Sequence, residues 1–354
     1  REREREMEED AATRMIKRKY DIVYKVGEGT YGIVYKATSM AKPHETVAIK
    51  QFKTPHSKES EGISVTAIRE IMLLRELNHE NIVRVKEFLL DALSHSLSLV
   101  FDYAEYDLYE VIKYHRDVKQ RPSDFAIKSY LWQMVNGIHY LHSNWVLHRD
   151  LKPSNILVNG VGAEEGRIKI ADFGLARVFK APMKPLSDNG VVVTIWYRAP
   201  ELLLSSNHYT RAIDVWALGC IFAELFLTKP LFPGNTKAQN QIQDQLDKIY
   251  AVLGPPNAAR WPGLMDMPDW GKFQVPEDRP NVLAAKMAEM RKSSHAAFDL
   301  LSRMIDYNPD TRITASEILD HEYFKEQPLP SLNAFDDIRQ AHGQLPYPSR
   351  KATQ

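Results

Sequence analysis

Three chemically useful side chains lie close together in the segment HRDLKPSN, at residues 148–155: Asp150, Lys152 and Asn155. A carboxylate can receive the proton of an attacking hydroxyl group, an ammonium group can balance phosphate charge, and an amide oxygen can bind a hard metal ion. Phosphoryl transfer needs these groups because its catalysis consists of positioning and charge stabilisation. The segment is a specific signature of that chemistry, and its chance occurrence is negligible.

A second carboxylate could complete a metal site. Asp172 opens the tripeptide DFG, which follows the strand-like residues Ile168 and Ile170. Mg²⁺ prefers hard oxygen ligands and keeps several waters, so one carboxylate, one amide oxygen and substrate phosphates suffice. We therefore predict that Asn155 and Asp172 bind Mg²⁺.

A glycine pattern near the N-terminus could cover a phosphate chain. Gly27, Gly29 and Gly32 form G-x-G-x-x-G, and glycine lets backbone amides approach phosphates closely. On its own the pattern fits an ordinary glycine-rich hairpin equally well, and dinucleotide-binding folds use the same spacing where a helix opens. Because strand-forming Val34 and Tyr35 follow, we predict a loop between two strands.

A cation for the phosphates is available at Lys50, the last residue of VAIK. A long, flexible ammonium side chain needs an anchor, and Glu70 in the helical run SVTAIREIMLL could supply it through a salt bridge. The alternative for both residues is a solvated surface position, where most charged side chains lie.

The elements that must position these residues begin with strands. The alternation of Tyr20, Ile22, Tyr24 and Val26 predicts a half-buried strand with these side chains on one face. Strands are also predicted at residues 33–36, 47–50 and 97–101. The first three should form an antiparallel sheet because the links between them are too short for helical crossovers.

Helical periodicity follows in two places. Val65, Ile68, Met72 and Leu77 predict a helix from residue 64 to residue 77, and the periodicity beyond residue 107 is mostly helical. One long apolar face there comprises Ile127, Leu131, Met134, Ile138 and Leu141.

These patterns predict an α+β fold with a small β-rich lobe, a larger α-helical lobe and a hinge from Asp102 to Asp107. We divide the chain into a charged N-terminal extension (1–19), an N-terminal lobe (20–102), a C-terminal lobe (103–325) and a proline-containing tail (326–354). The extension begins REREREMEED and is predicted to be solvated and frayed, with no signal peptide. The tail is predicted to be extended, wrapped on the surface or disordered.

Composition narrows the function classes. Of 354 residues, 46 are Lys or Arg and 46 are Asp or Glu, so no global attraction to nucleic acid or membranes follows. The single cysteine, Cys220, cannot form an internal disulfide and lies in an apolar run, which predicts a buried residue in a reducing compartment. No apolar stretch is long enough to span a bilayer.

Across residues 20–325 the chain resembles the eukaryotic protein kinases. HRDLKPSN and DFG are followed in order by APE at residues 199–201 and DVWALG at residues 214–219. The resemblance implies the bilobal protein kinase fold, with ATP and Mg²⁺ as cofactors, and Lys152 marks the serine/threonine form. Glu201 is expected to pair with Arg312, and Asp214 to hold the catalytic-loop backbone.

The resemblance also implies roles for individual residues. Asp150 would face the substrate hydroxyl, with Lys152 and Thr194 as its catalytic support. Backbone groups of Asp102 and Ala104 would bind adenine, Phe101 would close the back of its pocket, and Ala48 and Leu157 would enclose its ring. The full set expected at ATP is Val26, Gly27, Glu28, Gly29, Thr30, Tyr31, Gly32, Ile33, Val34, Ala48, Lys50, Glu70, Phe101, Asp102, Ala104, Asp107 and Leu157.

Within that family, SVTAIRE resembles the cyclin-contacting helix of cyclin-dependent kinases, and TIWYRAPELLL and DVWALGCIFAEL are also similar to them. DYAEYDLYE, the hairpin NGVGAEEGR and the segment APMKPLSDNGVVVTIWYRAPE resemble the kinase of the Mediator kinase module, especially its plant version. That resemblance implies a nuclear enzyme acting on proteins of RNA polymerase II transcription. A C-type cyclin would contact the helix from Ser64 to Glu70, alongside further Mediator subunits and protein substrates, with no direct nucleic-acid or membrane partner.

The activation segment departs from the usual pattern. Where related kinases carry a phosphorylatable threonine, this chain reads LSDNG, with Asp188 at or near that place. Arg69, Arg149 and Arg177 resemble the cluster that holds the phosphate. Asp188 could be a permanent but weaker mimic of the phosphothreonine, since it carries one charge and fewer oxygens. The alternative is that a further partner protein completes the arginine cluster. The resemblance favours the partner.

Two other modification sites stay open. Ser187 is either a phosphosite or an ordinary loop serine. Thr30 and Tyr31 either accept inhibitory phosphates or simply cover the nucleotide.

Two rival interpretations remain. A catalytically silent scaffold would lack one of Lys50, Asp150, Asn155 or Asp172, and all four are present. A mitogen-activated kinase would carry T-x-Y where this chain has LSDNG. The WYR segment resembles those that accept proline after the target residue, which predicts a Ser/Thr-Pro preference. For the chain alone we expect an idle state, with the helix of Glu70 swung away from Lys50.

Overall fold

The structure is a computed structural model that describes residues 13–29, 32–52, 65–91, 96–178, 195–206, 209–277 and 279–348. Side chains at residues 65–67, 69 and 178 are outside this description. The predicted residues Thr30, Tyr31, Ser64, Ser187, Asp188 and Thr194 therefore lie outside the described residues, as does the side chain of Arg69.

The first lobe is built on a five-stranded antiparallel sheet, which confirms the predicted α+β class. Its strands are β1 (Tyr20–Glu28), β2 (Gly32–Ser39), β3 (Thr46–Phe52), β4 (Val85–Asp91) and β5 (Ser96–Asp102), in the order β1-β2-β3-β5-β4. Alternating apolar residues give the sheet two buried faces. One face packs with the large core of the second lobe, and the other forms a smaller cluster with Ile49, Leu89 and Val100.

Strand β1 departs from the predicted alternation. Its pairing with β2 has an irregularity between Ile22 and Tyr24, so that Ile22 pairs with Ala37 and Tyr24 pairs with Lys36. Ala37 and Lys36 are adjacent, and adjacent strand residues point to opposite faces. The prediction that Ile22 and Tyr24 share a face is therefore wrong, because a bulge reverses the side-chain direction between them.

Residues of the charged extension that the structure describes form a helix. Residues 13–19 form helix α1, and Ile16 is fully buried in the smaller cluster against the sheet. The residue after the helix, Tyr20, donates a 2.8 Å hydrogen bond to Glu87 of β4. One apolar side chain therefore fixes this part of the segment, although its composition is strongly polar.

Helix α2 (Val65–Glu76) lies between β3 and β4 in the chain and carries Glu70. Leu73 and Leu74 are buried in the large core, whereas Ile68 is 46% exposed and Met72 is 63% exposed. The predicted apolar stripe is therefore wrong in part, because two of its members face solvent.

The second lobe is helical. Its elements are α3 (Leu108–Asp117), α4 (Asp124–Ser143), α5 (Pro200–Leu203), α6 (Ala212–Leu227), α7 (Gln241–Leu253), α8 (Leu283–Lys286), α9 (Ala288–Ser293), α10 (His295–Met304), α11 (Ala315–Leu319) and α12 (Asp336–His342). The long apolar face predicted for α4 is fully buried. Ser123 caps the N-terminus of that helix by accepting a hydrogen bond from the amide of Ala126.

Short strands and turns at the base of the cleft carry the catalytic motifs. Strand β6 (Tyr106–Asp107) pairs with β8 (Ile156–Val158), which pairs with β9 (Ile168–Ile170), and β7 (Val146–Leu147) pairs with β10 (Arg177–Val178). A turn of 3₁₀ helix at Pro153–Asn155 ends the segment HRDLKPSN, which we call the catalytic loop, and another turn at Phe173–Leu175 follows Asp172. Further 3₁₀ turns are Gly162–Glu164, Pro262–Asp266, Trp270–Lys272 and Glu322–Phe324.

The described part of the tail packs on the surface of the second lobe, which is one of the three conformations predicted for it. Helix α12 was not predicted. Tyr347 is 6% exposed, and its ring packs against those of Tyr106, Tyr114 and Phe335. Among the described helices, none is long and apolar enough to cross a membrane.

A buried ion pair joins the APE motif to the loop before α11. Arg312 donates to both carboxylate oxygens of Glu201, at 2.7 and 3.1 Å, and the side chains are 0% and 2% exposed. The predicted pairing is confirmed. Removing one partner of such a pair leaves the other charged and buried.

We predict that Glu201→Gln lowers the free energy of unfolding by about 3 kcal/mol, because the charge of Arg312 loses its counterion. Chemical denaturation checks this result. The matched control is Glu289→Gln, at a pair with Lys292 whose side chains are more than 70% exposed, and it should leave the free energy of unfolding at the wild-type value within experimental error. Equal stability of the two variants would contradict the prediction.

Candidate active site

A cleft of about 480 Å³ lies between the sheet and the second lobe. Apolar and charged side chains from both lobes line it. Predicted residues in its lining are Val26, Gly27, Val34, Ala48, Lys50, Glu70, Phe101, Asp102, Ala104, Asp107, Asn155, Leu157 and Asp172. The cleft therefore brings together most of the described residues that the sequence predicts for ATP.

Sequence analysis missed five further lining residues: Val83, Tyr103, Glu110, Ser154 and Ala171. Ser154 and Ala171 adjoin predicted residues in the chain, so proximity to the motifs could have identified them. Val83 enters the cleft because its amide donates to the carbonyl of Ile170 across the lobes, and no local pattern signals that contact. Glu28, Gly29, Gly32 and Ile33 were predicted at ATP but are absent from this lining.

One ammonium group joins three elements in the cleft. The Nζ of Lys50 on β3 lies 2.9 Å from each carboxylate oxygen of Glu70 on α2 and 3.0 Å from Oδ1 of Asp172. Burial alone would lower the pKa of Lys50, but Asp172 and Glu70 raise it above its usual value. Burial would raise the pKa of Asp172, but Lys50 holds it below the usual range. The lysine therefore stays cationic and Asp172 anionic.

This pairing differs from the idle state expected for the chain alone, because Glu70 points inward. Its side chain is 2% exposed. A carboxylate that is buried this deeply needs a cationic partner, and Lys50 is that partner. Asp172 has a φ of 66°, in the left-handed region, and such strain in a non-glycine residue is typical of functional sites.

The catalytic loop orients one oxygen of Asp150. Lys152 Nζ donates to Oδ2 at 2.7 Å, and Asn155 Nδ2 donates to the same oxygen at 3.1 Å and to the backbone carbonyl of Asp150 at 2.8 Å. Both of these side-chain hydrogen bonds use Oδ2, and among the described contacts Oδ1 accepts none. The side-chain amide nitrogen of Asn155 donates two hydrogen bonds to Asp150. The Oδ1 atom of Asn155 can therefore act as an acceptor.

A buried carboxylate fixes the backbone of the catalytic loop. Asp214 of α6 accepts hydrogen bonds from the amides of His148 and Arg149, at 3.0 and 2.8 Å, and contacts His142 Nε2 at 2.9 Å. Burial would raise the pKa of Asp214, but His142 lowers it. Asp214 therefore stays charged, and the predicted capping of the loop backbone is confirmed.

The glycine-rich loop uses its glycines in different ways. At Gly32 an added Cβ would lie 2.3 Å from the carbonyl oxygen of Gln51, so the close approach of β2 to β3 excludes a side chain. Among the described residues, nothing lies within 4 Å of a Cβ added at Gly27 or Gly29. Glycine at these two positions therefore leaves the backbone open to the close approach of a ligand.

Two of the three predicted arginines gather near Tyr209. The guanidinium group of Arg149 lies 5.3 Å from the centre of the Tyr209 ring. Burial raises the pKa of Tyr209, and the charges of Arg149 and Arg177 oppose that rise. Strand β10 pairs Arg177 with Leu147, next to the catalytic loop. Tyr209 was not predicted, because it belongs to no catalytic motif.

A second unpredicted pair lies behind the WYR segment. Tyr197 donates a 2.7 Å hydrogen bond to Glu224 of α6, and the residue Glu224 is 2% exposed. Burial raises the pKa of Glu224 to about 7, although the bond from Tyr197 opposes the shift. An apolar run, VWALGCIFAELF, surrounds this carboxylate.

Known proteins resemble this chain over nearly its whole length. The sequence family described as the protein kinase domain matches residues 20–324 of this chain. A probable cyclin-dependent kinase 8 from Dictyostelium discoideum is 55% identical over 339 residues, which cover 95% of this chain and 87% of that protein. Cyclin-dependent kinase E-1 from Arabidopsis thaliana is 52% identical over 337 residues, covering 94% and 71%. Cyclin-dependent kinase 8 from Drosophila melanogaster is 44% identical over 346 residues, covering 92% and 73%.

Glu224 predicts a pH dependence of stability. Its folded-state pKa is above the usual value, so its stabilising contribution is present at low pH and is lost as pH rises through about 7. From about pH 5 to about pH 8, the wild-type protein should lose about 2 kcal/mol relative to Glu224→Gln, which cannot ionise. Denaturation at several pH values measures the difference. Glu322→Gln, which removes a 67% exposed carboxylate, should follow the wild-type curve, and parallel curves for wild type and Glu224→Gln would contradict the prediction.

Proposed function

The chain belongs to the protein kinase family, and within it to the cyclin-dependent kinases related to cyclin-dependent kinase 8; from this premise we propose the atoms with which it transfers phosphate. The enzyme is a serine/threonine protein kinase that moves the γ-phosphoryl group of ATP to a protein hydroxyl. The observation that carries the assignment of atoms is the joint position of Lys50, Asp150, Asn155 and Asp172 around one cleft.

Asp150 receives the proton of the attacking hydroxyl group. Lys152 and Asn155 hold its Oδ2, so Oδ1 faces the substrate. A carboxylate fixed in this way both orients the hydroxyl and accepts its proton as the new phosphate ester forms. Lys152, 2.7 Å from Asp150, also offers positive charge to the transferring phosphoryl group. Thr194, outside the described residues, is proposed as a support for both.

The donor set fits a divalent cation. The free Oδ1 of Asn155 and the carboxylate of Asp172 are hard oxygen donors, as Mg²⁺ prefers, and Lys50 engages Oδ1 of Asp172. When bound, Mg²⁺ neutralises charge on the phosphates. Lys50 binds the α- and β-phosphates, with Glu70 fixing its position. The glycine-rich loop, including Glu28, Gly29, Thr30, Tyr31, Gly32 and Ile33, covers them.

Apolar side chains lie where the adenine ring is proposed to bind. Ala48 pairs with Phe101 across β3 and β5, and Leu157 enters from β8. These residues enclose the ring, and the backbone of Asp102 and Ala104 binds its edge. Asp107 lies at the ribose side, where it also caps α3 by accepting from the amide of Glu110 at 2.8 Å. We also propose that the N-terminal lobe begins at residue 20, the C-terminal lobe at residue 103 and the tail at residue 326.

The setting is proposed from the family resemblance. The chain would act in the nucleus as the kinase of the Mediator kinase module, on Ser/Thr-Pro sites in proteins of RNA polymerase II transcription. Asp188 would engage Arg69, Arg149 and Arg177 incompletely, with a further Mediator subunit completing the cluster. The convergence of Arg149 and Arg177 on Tyr209 supports a preformed cationic site.

A C-type cyclin is the proposed partner of α2. Ile68 and Met72 are exposed there, as are Phe88 (40%) and Leu90 (54%) on β4. Phe88 pairs with Leu99, whose side chain packs in the same core as Leu73 of α2, so Phe88 projects from the α2 side of the sheet. Exposed apolar side chains on adjoining elements are typical of protein interfaces.

We predict that Asp150→Asn lowers kcat by about 10²-fold or more, because the amide cannot accept the proton. Transfer of labelled γ-phosphate from Mg·ATP to a Ser-Pro peptide, with C-type cyclin present, measures it. A matched Ser-Ala peptide tests the proline preference and should be the poorer substrate. The variant should still bind Mg·ATP, and full activity in Asp150→Asn would sink the assigned role.

We predict that Met72→Glu weakens cyclin binding and cyclin-dependent activity by about tenfold or more, because a charge would enter an apolar interface. Titration of cyclin against kinase activity and a direct binding assay measure both effects. Met265→Glu is the matched control, since Met265 is 68% exposed on the second lobe. Identical cyclin affinity in the two variants would show that the exposed face of α2 is not the cyclin contact.

A further inference from the structure

A small cluster of side chains joins strands β1 and β2 to the hinge at the edge of the cleft. The hydroxyl groups of Tyr24 on β1 and Tyr103 in the hinge are 3.1 Å apart. The ammonium group of Lys36 on β2 lies 4.4 Å from the centre of the Tyr103 ring and 5.6 Å from that of Tyr24. We call these three residues the mouth cluster.

The bulge in β1 explains why these side chains meet. Lys36 pairs with Ala48 of β3, and Ala48 lines the cleft, so Lys36 is on the cleft face of the sheet. Tyr24 pairs directly with Lys36, and direct partners share a face. Without the irregularity after Ile22, Tyr24 would join Ile22 on the opposite face, far from the hinge. Bulges that redirect a side chain in this way are frequent beside active sites.

The cluster connects two parts of the nucleotide site. Tyr103 lines the cleft between Asp102 and Ala104, the residues whose backbone is proposed to bind adenine. Strands β1 and β2 continue into the glycine-rich loop, which is proposed to cover the phosphates. Apart from this cluster, the hinge reaches β1 along the sheet only through β5, β3 and β2. Tyr103 therefore provides a direct side-chain link between the hinge and strands β1 and β2, on either side of the proposed adenine site.

We propose that Tyr24, Lys36 and Tyr103 are positioning residues that fix strands β1 and β2 relative to the hinge, and thereby set the width of the nucleotide site. The proposal rests on the nucleotide site assigned above. A cation–aromatic contact and a hydroxyl pair each contribute modestly, so the cluster biases the position of β1 and β2 over the adenine site and still allows nucleotide exchange. Its effect falls on nucleotide affinity, because none of the three side chains reaches Asp150, Lys152 or Asn155 in the described contacts.

The test compares Tyr24→Phe and Lys36→Met with wild type in the cyclin complex. Each variant should raise KM for ATP and Kd for Mg·ADP by about three- to fivefold, with kcat within about twofold and KM for the peptide unchanged. Lys36→Arg should restore the wild-type values, because guanidinium also stacks on aromatic rings. Lys42→Met, which removes the same charge from a 75% exposed side chain on the β2–β3 turn, is the matched control.

The outcomes are separable. Equal nucleotide affinity in Tyr24→Phe, Lys36→Met and Lys42→Met overturns the mouth cluster and leaves the kinase site intact. A fall in kcat with unchanged KM for ATP also overturns it, because the cluster would then act on chemistry. Failure of the wild-type complex to bind Mg·ADP overturns the nucleotide site and the cluster together.

Discussion

Lys50 shares its charge between the buried carboxylate of Glu70 and the partly exposed carboxylate of Asp172, which come from different parts of the chain. Glu70 belongs to a helix of the first lobe, and Asp172 follows a strand at the base of the cleft. Each of the three side chains would be costly to bury alone, since an unpaired charge in a poorly solvated site loses its hydration. Together they fix the position of α2, of the β3 strand and of the segment after β9. The geometry of the phosphate site therefore depends on this one contact.

The rest of the catalytic machinery is held by a separate set of contacts. Asp214 fixes the backbone of the catalytic loop, and His148 Nε2 lies 3.0 Å from the carbonyl of Ala171, one residue before Asp172. Below them, α6 is buried almost throughout and supplies Asp214 and Glu224. The loop is thus positioned from the rigid second lobe. The phosphate cation, in contrast, is positioned by a helix whose outer face is exposed and apolar, where a partner can influence it.

The sequence predicts those parts of the site that chemistry constrains closely. The motifs HRDLKPSN and DFG led to the proposed roles of Asp150, Asn155 and Asp172, and the buried face of α4 followed from its period. Tyr24 could not be placed, because a bulge changes the side-chain direction and leaves no clear mark in the local pattern. The exposure of Met72 was also missed, since a periodic apolar stripe looks the same whether it faces a core or a partner.

Contacts between distant segments were the least predictable. Ile16 fixes a helix within a highly charged stretch, and Tyr347 packs beside the hinge from the far end of the chain. Neither residue differs locally from an exposed one, because its burial depends on the packing of elements that are remote in sequence. The same reason explains Val83, whose contact with Ile170 crosses between the lobes.

The most direct test of this account is the rate of labelled phosphate transfer by Glu70→Gln in the cyclin complex. This change keeps the size of the side chain and removes the charge that positions Lys50. The account predicts that transfer falls by about 10²-fold, as expected when a catalytic group is misplaced, while the complex still assembles with cyclin. Wild-type transfer by an assembled Glu70→Gln complex would contradict the central role of the Lys50 contact.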